Sequence, residues 1–472
     1  MVAAVTATAE RTTAARGPRS VWADTLDAAE AAAPPRTPLD GDEQVDVCIV
    51  GAGYTGLWTA YYLLQADPGL DVLVVEAETA GFGASGRNGG WVSALFPQSA
   101  ELMARESGAA AAQAMRRAMR ETVDEVGRVV EAEGIDCHWR KGGTVVIART
   151  LAQLQRAHAE ADADEAAGGA EGVRFLDARQ ACEKVRISGA LGATFTPHCA
   201  RVHPLRLARG LARAVERAGG RIVEGTRVTA IAPGEVRTER GTVRCRSAVR
   251  ATEAWTSTLP SSRRDVVPVY SLMVATEPLP ASFWERAGLA GGETFSDFRN
   301  VIVYGQRTAD DRLAFGGRGA PYHFGSSIRP DHDAEPRVFD ALRETVRELF
   351  PAIGDARFTH SWGGPLGIAR DWHASVRHDP RTGLASAGGY VGDGVATTNL
   401  AGRTLADAVA GRRTPLLDLP WFGHTSPRWE PEPLRWTGVN AGLVLARAAD
   451  AAERRRGRET PVGGLLGRLT GH

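Results

Sequence analysis

The sequence predicts an α/β fold, a doubly wound parallel sheet with a mainly antiparallel α+β region inserted into it. Three observations carry this reading. An apolar run at residues 45–50 leads into Gly51-Ala52-Gly53-Tyr54-Thr55-Gly56 and a helical pattern to about residue 65, and a second apolar run fills 71–76. That is one strand–helix–strand unit of about thirty residues, the opening of a doubly wound sheet. A second glycine turn, at 388–394, stands far downstream, again between a strand-like and a helix-like stretch. Between the two turns, short strand-like segments from 268 to 315 alternate with turns rather than helices, as an antiparallel sheet would.

The chain has 472 residues, enough for two domains. Lys+Arg and Asp+Glu are 56 each, so the net charge is zero. A neutral chain lacks the field that gathers nucleic acid or an anionic membrane surface, and neither is expected as a partner. The cysteines (Cys48, Cys137, Cys182, Cys199, Cys245) show no CxxC spacing, which argues against a disulfide framework and a metal site and favours the cytoplasm. Residues 1–35 read as a flexible arm without the apolar core of a signal peptide. No stretch approaches the ~20 apolar residues of a membrane span.

Along the chain, residues 100–134 read as one long helix, 141–149 as a strand and 151–185 as exposed helix. His203-Pro204 opens a helix that Gly219-Gly220 ends. Strand-like segments fill 221–249, and 340–350 is helical. These elements divide the chain into a doubly wound domain (36–105, 190–265 and 355–420), a substrate domain (106–189 and 266–354) and a helical tail (421–472). In the tail, the charge run at Glu453 reads as a solvated face.

The chemistry lies in the turns. Gly51 permits the tight turn, Gly53 lets the backbone approach a pyrophosphate, and Gly56 lets helix and strand pack closely. The free N–H groups of the helix, at Tyr54 and Thr55, face the phosphates. Glu76, with Ala77 beside it, stands where an acidic residue bonds ribose hydroxyls. The loop Ser85, Arg87, Asn88, Gly89, Gly90 suits a cofactor whose pyrophosphate and flavin run beneath it, although a plain surface loop has the same composition. At the second turn, Gly392, Asp393, Gly394, Val395, Ala396 and Thr397 open another helix. Its positive end would stabilise negative charge at the flavin N1–O2 edge. Two glycine-to-helix elements favour one long cofactor held from both ends, hence FAD on a Rossmann-like, glutathione-reductase-type domain.

With these motifs, the chain resembles the FAD-dependent glycine oxidase/D-amino acid oxidase family, closest to its γ-glutamylputrescine oxidase-like and sarcosine oxidase-like branch. The resembling stretches are 45–90, 200–231, 251–259, 268–280 and 360–419. The resemblance implies oxidation of a C–N bond in a small-molecule amine or amino-acid derivative to an imine that water hydrolyses, with molecular oxygen reduced to hydrogen peroxide. It implies adenine contact at Val228 and cofactor contact at Thr252. It also directs attention to Gly316-Gly-Arg318-Gly-Ala-Pro-Tyr322-His323. There, with a one-residue shift, Arg318 replaces a lysine that activates oxygen, and Tyr322 and His323 match a pair bordering the substrate. Arg318 reads equally well as a salt-bridged interface arginine, and His323 as a surface imidazole. Tyr270 and Tyr304 fall on strands where they would wall an amine site or pack the core.

Departures from the family pattern matter too. The cysteine and histidine that tether flavin in related enzymes are missing at the matching positions, so FAD is expected to be non-covalent. The run beginning Trp362-Gly-Gly-Pro-Leu366 lacks the arginine that clamps a substrate carboxylate in glycine oxidases. That favours an amine, unless Arg370, which can also pair with Asp371, supplies the clamp. Alternatives are an NADPH-dependent hydroxylase, an amine dehydrogenase passing electrons to a carrier, and a flavoprotein using FAD structurally. The hydroxylase's histidine and proline are absent after Gly392-Asp393. Monomer and homodimer both remain open.

Overall fold

The computed structural model describes residues 20–167 and 172–456. Two eight-stranded sheets dominate it. In the first, Glu43–Val50 lies between Val72–Val75, with Arg221–Val223 beyond, and Thr242–Arg250, with Leu384–Gly388 and Ser375–Asp379 beyond. All these neighbours are parallel except the last pair. The hairpin Val228–Ala232 and Glu235–Thr238 attaches antiparallel to Thr242–Arg250. Because both sheet faces are covered, successive residues bury on opposite sides. Val47, Ile49, Val72 and Val74 join one core, and Cys48, Val50, Leu73 and Val75 the other.

The helices Tyr54–Ala66, Ala109–Ala132, Pro204–Arg217 and Gly394–Val409 contribute to the first of these cores. Two of them meet where Gly402 has no side chain. A Cβ there would lie 2.5 Å from Trp58 Cβ and 2.8 Å from the Trp58 carbonyl carbon. The helix behind the second glycine turn thereby presses directly on the helix behind the first.

The second sheet runs in the order Phe358–Ile368, Val267–Thr276, Leu313–Arg318, Val303–Arg307, Thr294–Asp297, Thr144–Ala148, Gly192–Thr196, Arg174–Asp177. It is antiparallel throughout except where Thr294–Asp297 meets Thr144–Ala148. Side chains alternate between its faces. Tyr270, Leu272, Val274 and Phe315 pack with the helix Pro336–Leu349. Met273, Ala275, Ala314 and Trp362 face the other way, against Leu205 of the first lobe.

The structure departs from the sequence reading at several points. Residues 100–134 form two helices, because Gly108 (φ 91°) breaks the chain between Ala100–Ser107 and Ala109–Ala132. The longer helix buries Met115, Met119, Val123 and Val126 in the core of the first lobe rather than in the substrate domain. Within 151–185 the strand Arg174–Asp177 interrupts the helical stretch. The domain boundaries shift as well. Gly192–Thr196 and Phe358–Ile368, expected in the doubly wound domain, belong to the second sheet because their ladder partners lie there. Within the arm, Val21–Asp24 and Ala28–Ala32 are short helices rather than flexible chain, with Val21 and Trp22 buried. Residues 1–19 lie outside the described part. The tail forms the helix Leu434–Arg456, and Glu453 is buried against Arg156 at 2.7 Å instead of solvated. The rest of that charge run, past Arg456, lies outside the described residues.

Gly402→Ala should cost about 2 kcal/mol by forcing the two helices apart. The midpoint of urea unfolding checks this, and an unchanged midpoint would show that the crossing tolerates a methyl group.

Candidate active site

Both glycine turns open into one cleft with about 1210 Å³ of empty space, part of it open to solvent. Gly51 lines it at φ 108°, where a Cβ would stand 2.6 Å from the Ala251 carbonyl oxygen. At Gly56 a Cβ would lie 2.0 Å from Gly51 O, so the third glycine seats the helix under the turn. Neither Gly53 nor Asp393 caps its helix through a side chain, which leaves most of the first-turn N–H groups for a ligand. The Tyr54 amide is the exception and donates to Ser85 Oγ at 2.8 Å.

Glu76 accepts from the amides of Ala52 (2.7 Å) and Glu78 (2.9 Å), which fixes its carboxylate at the cleft edge. Burial pushes its carboxyl up despite those bonds. Asn88 braces the overlying loop. Its Nδ2 donates to Ala84 O (3.1 Å) and Ser85 O (3.0 Å), and its Oδ1 accepts from the Gly90 amide (2.7 Å).

Of the residues predicted from sequence to hold the cofactor, Gly51, Gly53, Tyr54, Thr55, Glu76, Ala77, Ser85, Asn88, Val228, Thr252, Gly392, Gly394 and Val395 line the cleft. The others stand behind it. Ala52 is buried and serves through its bond to Glu76. Arg87 does not line the cleft, and its guanidinium pairs with Asp333 at 2.5 Å. Gly89 admits the Tyr304 ring, which a Cβ would meet at 2.6 Å, and Gly90 admits Gln306. Ala396 is fully buried, and Thr397 donates back to Asp393 O at 2.5 Å. Burial raises the Asp393 carboxyl to about 6, while the positive charge of Arg318 works against the rise.

The catalytic candidates separate. Arg318 ends its strand on the face shared by Ala314 and Gly316, and its Nη2 donates to Val391 O beside the second glycine turn. Burial lowers its pKa, and Asp393 and Tyr304 oppose that. The others are not brought to the cleft. Tyr270 lies on the opposite face of its strand from Ser271, with its ring edge on His323 (5.5 Å) and His332 (5.8 Å). The His323 ring stacks on His332 at 3.4 Å, and burial lowers its pKa. Tyr322 is buried, and its hydroxyl donates to Glu432 Oε1 at 2.7 Å. Strand parity accounts for Tyr270, whereas Tyr322 and His323 lie past the end of the strand Leu313–Arg318, where Tyr322 bonds Glu432 and Asn440. Tyr304 bonds Ser271 Oγ at 2.8 Å and its ring packs against Gly89 of the loop and Gly316 of its neighbouring strand, outside the cleft lining. Arg370 pairs with Glu430 at 3.0 Å, not with Asp371.

Sequence reasoning missed Glu253. It lines the cleft at φ 44°, a backbone region uncommon for glutamate, and its Oε2 accepts from the Gly367 amide at 2.7 Å. It thereby ties the cleft floor to the second sheet. Burial raises its carboxyl to about 7. Only the fold puts Gly367 opposite it, so no local signal marks it. Tyr390 also lines the cleft, and its hydroxyl bonds Thr55 Oγ1 at 2.9 Å.

A cleft with a helix N-terminus at either end is the mark of a protein that holds an extended dinucleotide for redox chemistry. The chain belongs to the DAO family of FAD-dependent oxidoreductases, whose model matches residues 46–408. Among curated relatives, γ-glutamylputrescine oxidoreductase of Escherichia coli is 30% identical over 376 residues, 78% of this chain and 84% of its own. The probable oxidoreductase OrdL of Haemophilus influenzae is 28% identical over 390 residues, 79% of this chain and 85% of its own. Glycine oxidase from Geobacillus kaustophilus shares the fold, with a TM-score of 0.69 at 22% identity over 81% of this chain and all of that one. No helix among the described residues is long and apolar enough to cross a membrane.

The raised Glu253 carboxyl sets a pH signature. An acid whose folded pKa (about 7) exceeds its ordinary value of 4.5 binds more proton when folded than when unfolded. Stability of the flavin-free protein should therefore fall as pH rises from 4.5 to 7, by on the order of 1–3 kcal/mol. Glu253→Gln should flatten that slope in urea titrations at several pH values, leaving the part that Asp393, raised to about 6, contributes; an unchanged slope would assign it to other groups.

Proposed function

We propose that the protein oxidises the C–N bond of a small-molecule amine to an imine, which water hydrolyses, with molecular oxygen reduced to hydrogen peroxide. The observation that carries this reading is the wall facing the cofactor cleft. Leu366 stands where a carboxylate-clamping arginine would be, while Arg318 is fixed on Val391 O at the second glycine turn. The similarity to γ-glutamylputrescine oxidoreductase supports an amine over a free α-amino acid. FAD, when bound, supplies the two-electron acceptor that takes the hydride and passes the electrons on. It is held without a covalent link, since the residues lining the cleft include neither cysteine nor histidine. The enzyme acts in the cytoplasm as a monomer or homodimer.

The chain's own groups supply binding and charge. Ser271 Oγ lies 3.4 Å from Gly317 O as well as 2.8 Å from the Tyr304 hydroxyl. If Ser271 donates to the carbonyl, Tyr304 donates to Ser271, and the lone pairs of Tyr304 are left to accept from a substrate N–H. Gly316 and Gly364 keep the wall thin beside that pair, and Trp362 is packed behind the cofactor loop. Arg318 is a permanent cation in a partly buried position, so it stabilises negative charge that develops as oxygen is reduced.

Three outcomes are expected. Under anaerobic conditions an amine panel should bleach the flavin absorbance, air should restore it with release of peroxide, and acid precipitation should free the flavin into solution. Bleaching by NADPH alone would instead favour a hydroxylase, and bleaching by an amine that air does not reverse would favour a dehydrogenase. Arg318→Met should slow reoxidation by air roughly 100-fold while leaving anaerobic reduction within a few-fold; equal rates in both halves would remove Arg318 from the oxygen step. Tyr304→Phe should lower kcat/KM about tenfold with the flavin spectrum intact, whereas Tyr270→Phe, on the far face, should leave it unchanged. The reverse pattern would place the substrate on the other side of the sheet.

A further inference from the structure

Two indoles from opposite ends of the chain donate to consecutive carbonyls of the cofactor loop. Trp22 Nε1 bonds Asn88 O at 2.9 Å, and Trp362 Nε1 bonds Arg87 O at 2.9 Å. Their rings meet edge to face at 6.2 Å. Trp22 is 2% exposed, so its N–H has a partner where water could not supply one. The loop they grip carries Ser85 and Asn88, both on the cleft. We propose that Trp22 is a positioning residue for the cofactor: the N-terminal segment is a built part of the FAD site, clamping residues 87–88 from outside so that the loop keeps its shape over the cleft.

The segment is anchored as such a role requires. Thr25 Oγ1 donates to Val21 O at 2.8 Å and so accepts from His203 Nε2 at 3.1 Å, while His203 Nδ1 accepts from the Arg206 amide at 3.2 Å. The His203 ring meets Trp22 at 5.1 Å and holds it from beneath. Further along, Arg209 donates to Glu30 O at 2.6 Å and Arg213 pairs with Glu30 at 3.1 Å, which ties the segment to the helix Pro204–Arg217. Asp24 reaches the second lobe at His360, 3.2 Å away. The segment thus touches the first lobe, the second lobe and the loop between them. Asn88 passes the constraint inward, since its side chain bonds Ala84 O and Ser85 O while its carbonyl receives Trp22.

Packing alone is the competing account, because Val21 and Trp22 also fill an apolar seam with Leu205, Met273 and Ala275. Flavin-stripped protein titrated with FAD separates the two. Trp22→Phe keeps the ring and removes the N–H, and should weaken FAD binding about fivefold and alter the visible flavin band. Trp362→Phe, which frees the neighbouring carbonyl, should give the same signature. Val21→Ala should lower the unfolding temperature of the stripped protein yet leave FAD affinity within twofold. The proposal is overturned if Trp22→Phe binds FAD as the parent does, or if Val21→Ala weakens binding as much. Binding of FAD is read without any amine, so failure here leaves the proposed reaction untouched.

Discussion

Two glycine turns at opposite ends of the chain can serve one cofactor only if their helices approach closely enough to aim both N-termini into the same cleft. Gly402 makes that approach possible, since Trp58 occupies the space any side chain there would need. The same logic repeats one level down. Gly56 lets the first helix sit against Gly51 O, and Gly51 lets the turn sit against Ala251 O. The cleft is therefore defined by a column of missing side chains running from the second helix through the first to the strand Thr242–Arg250. Overpacking at any of these contacts moves a helix N-terminus and not merely a side chain.

The first lobe was legible in the sequence because its signals are local. An apolar strand, a glycine turn, a capless helix and a second strand follow one another within residues 43–75, and the structure pairs Val47–Val50 with Val72–Val75 as that order requires. The helix Pro204–Arg217 was legible for the same reason, having His203 as its cap and proline at its start. The second sheet was legible in kind but not in membership. Thr144–Ala148 and Gly192–Thr196 pair across a long stretch of chain, and nothing in either segment names its partner. Burial of the N-terminal segment was hidden likewise, because between residues 20 and 35 its large apolar side chains are only Val21, Trp22 and Leu26 and its seat is built from both lobes.

Side-chain parity decided the rest. On a strand, a shift of one residue exchanges the faces. Arg318 fell on the cofactor side together with Gly316, whereas Tyr270 fell on the core side although Ser271, next to it, faces the cleft side. Motif matching across the Gly316–His323 stretch carried a one-residue offset, and the fold places Tyr322 under the C-terminal helix, bonded to Glu432 and Asn440. A sequence names the residues of such a site more readily than it names the face they occupy.

The charges around the wall bear on substrate class more than the aromatic groups do. Clamping a carboxylate takes a guanidinium with two parallel donors free. Arg87 has its charge answered by Asp333, and Arg370 by Glu430. Arg318 spends a donor on Val391 O and stands near Asp393, so it is pinned to the second glycine turn and moves with it. Arg87 and Arg370 each face a carboxylate and Arg318 is tied to Val391 O, while the run beginning at Trp362 presents the apolar Leu366 to the cleft. With Ser271 donating to Gly317 O, the Ser271–Tyr304 pair ends by contrast in an oxygen whose lone pairs are left to accept. For the proposed reaction, a donating nitrogen is the complementary group to that oxygen, and an amine without a carboxylate would present one with no second charge to bury.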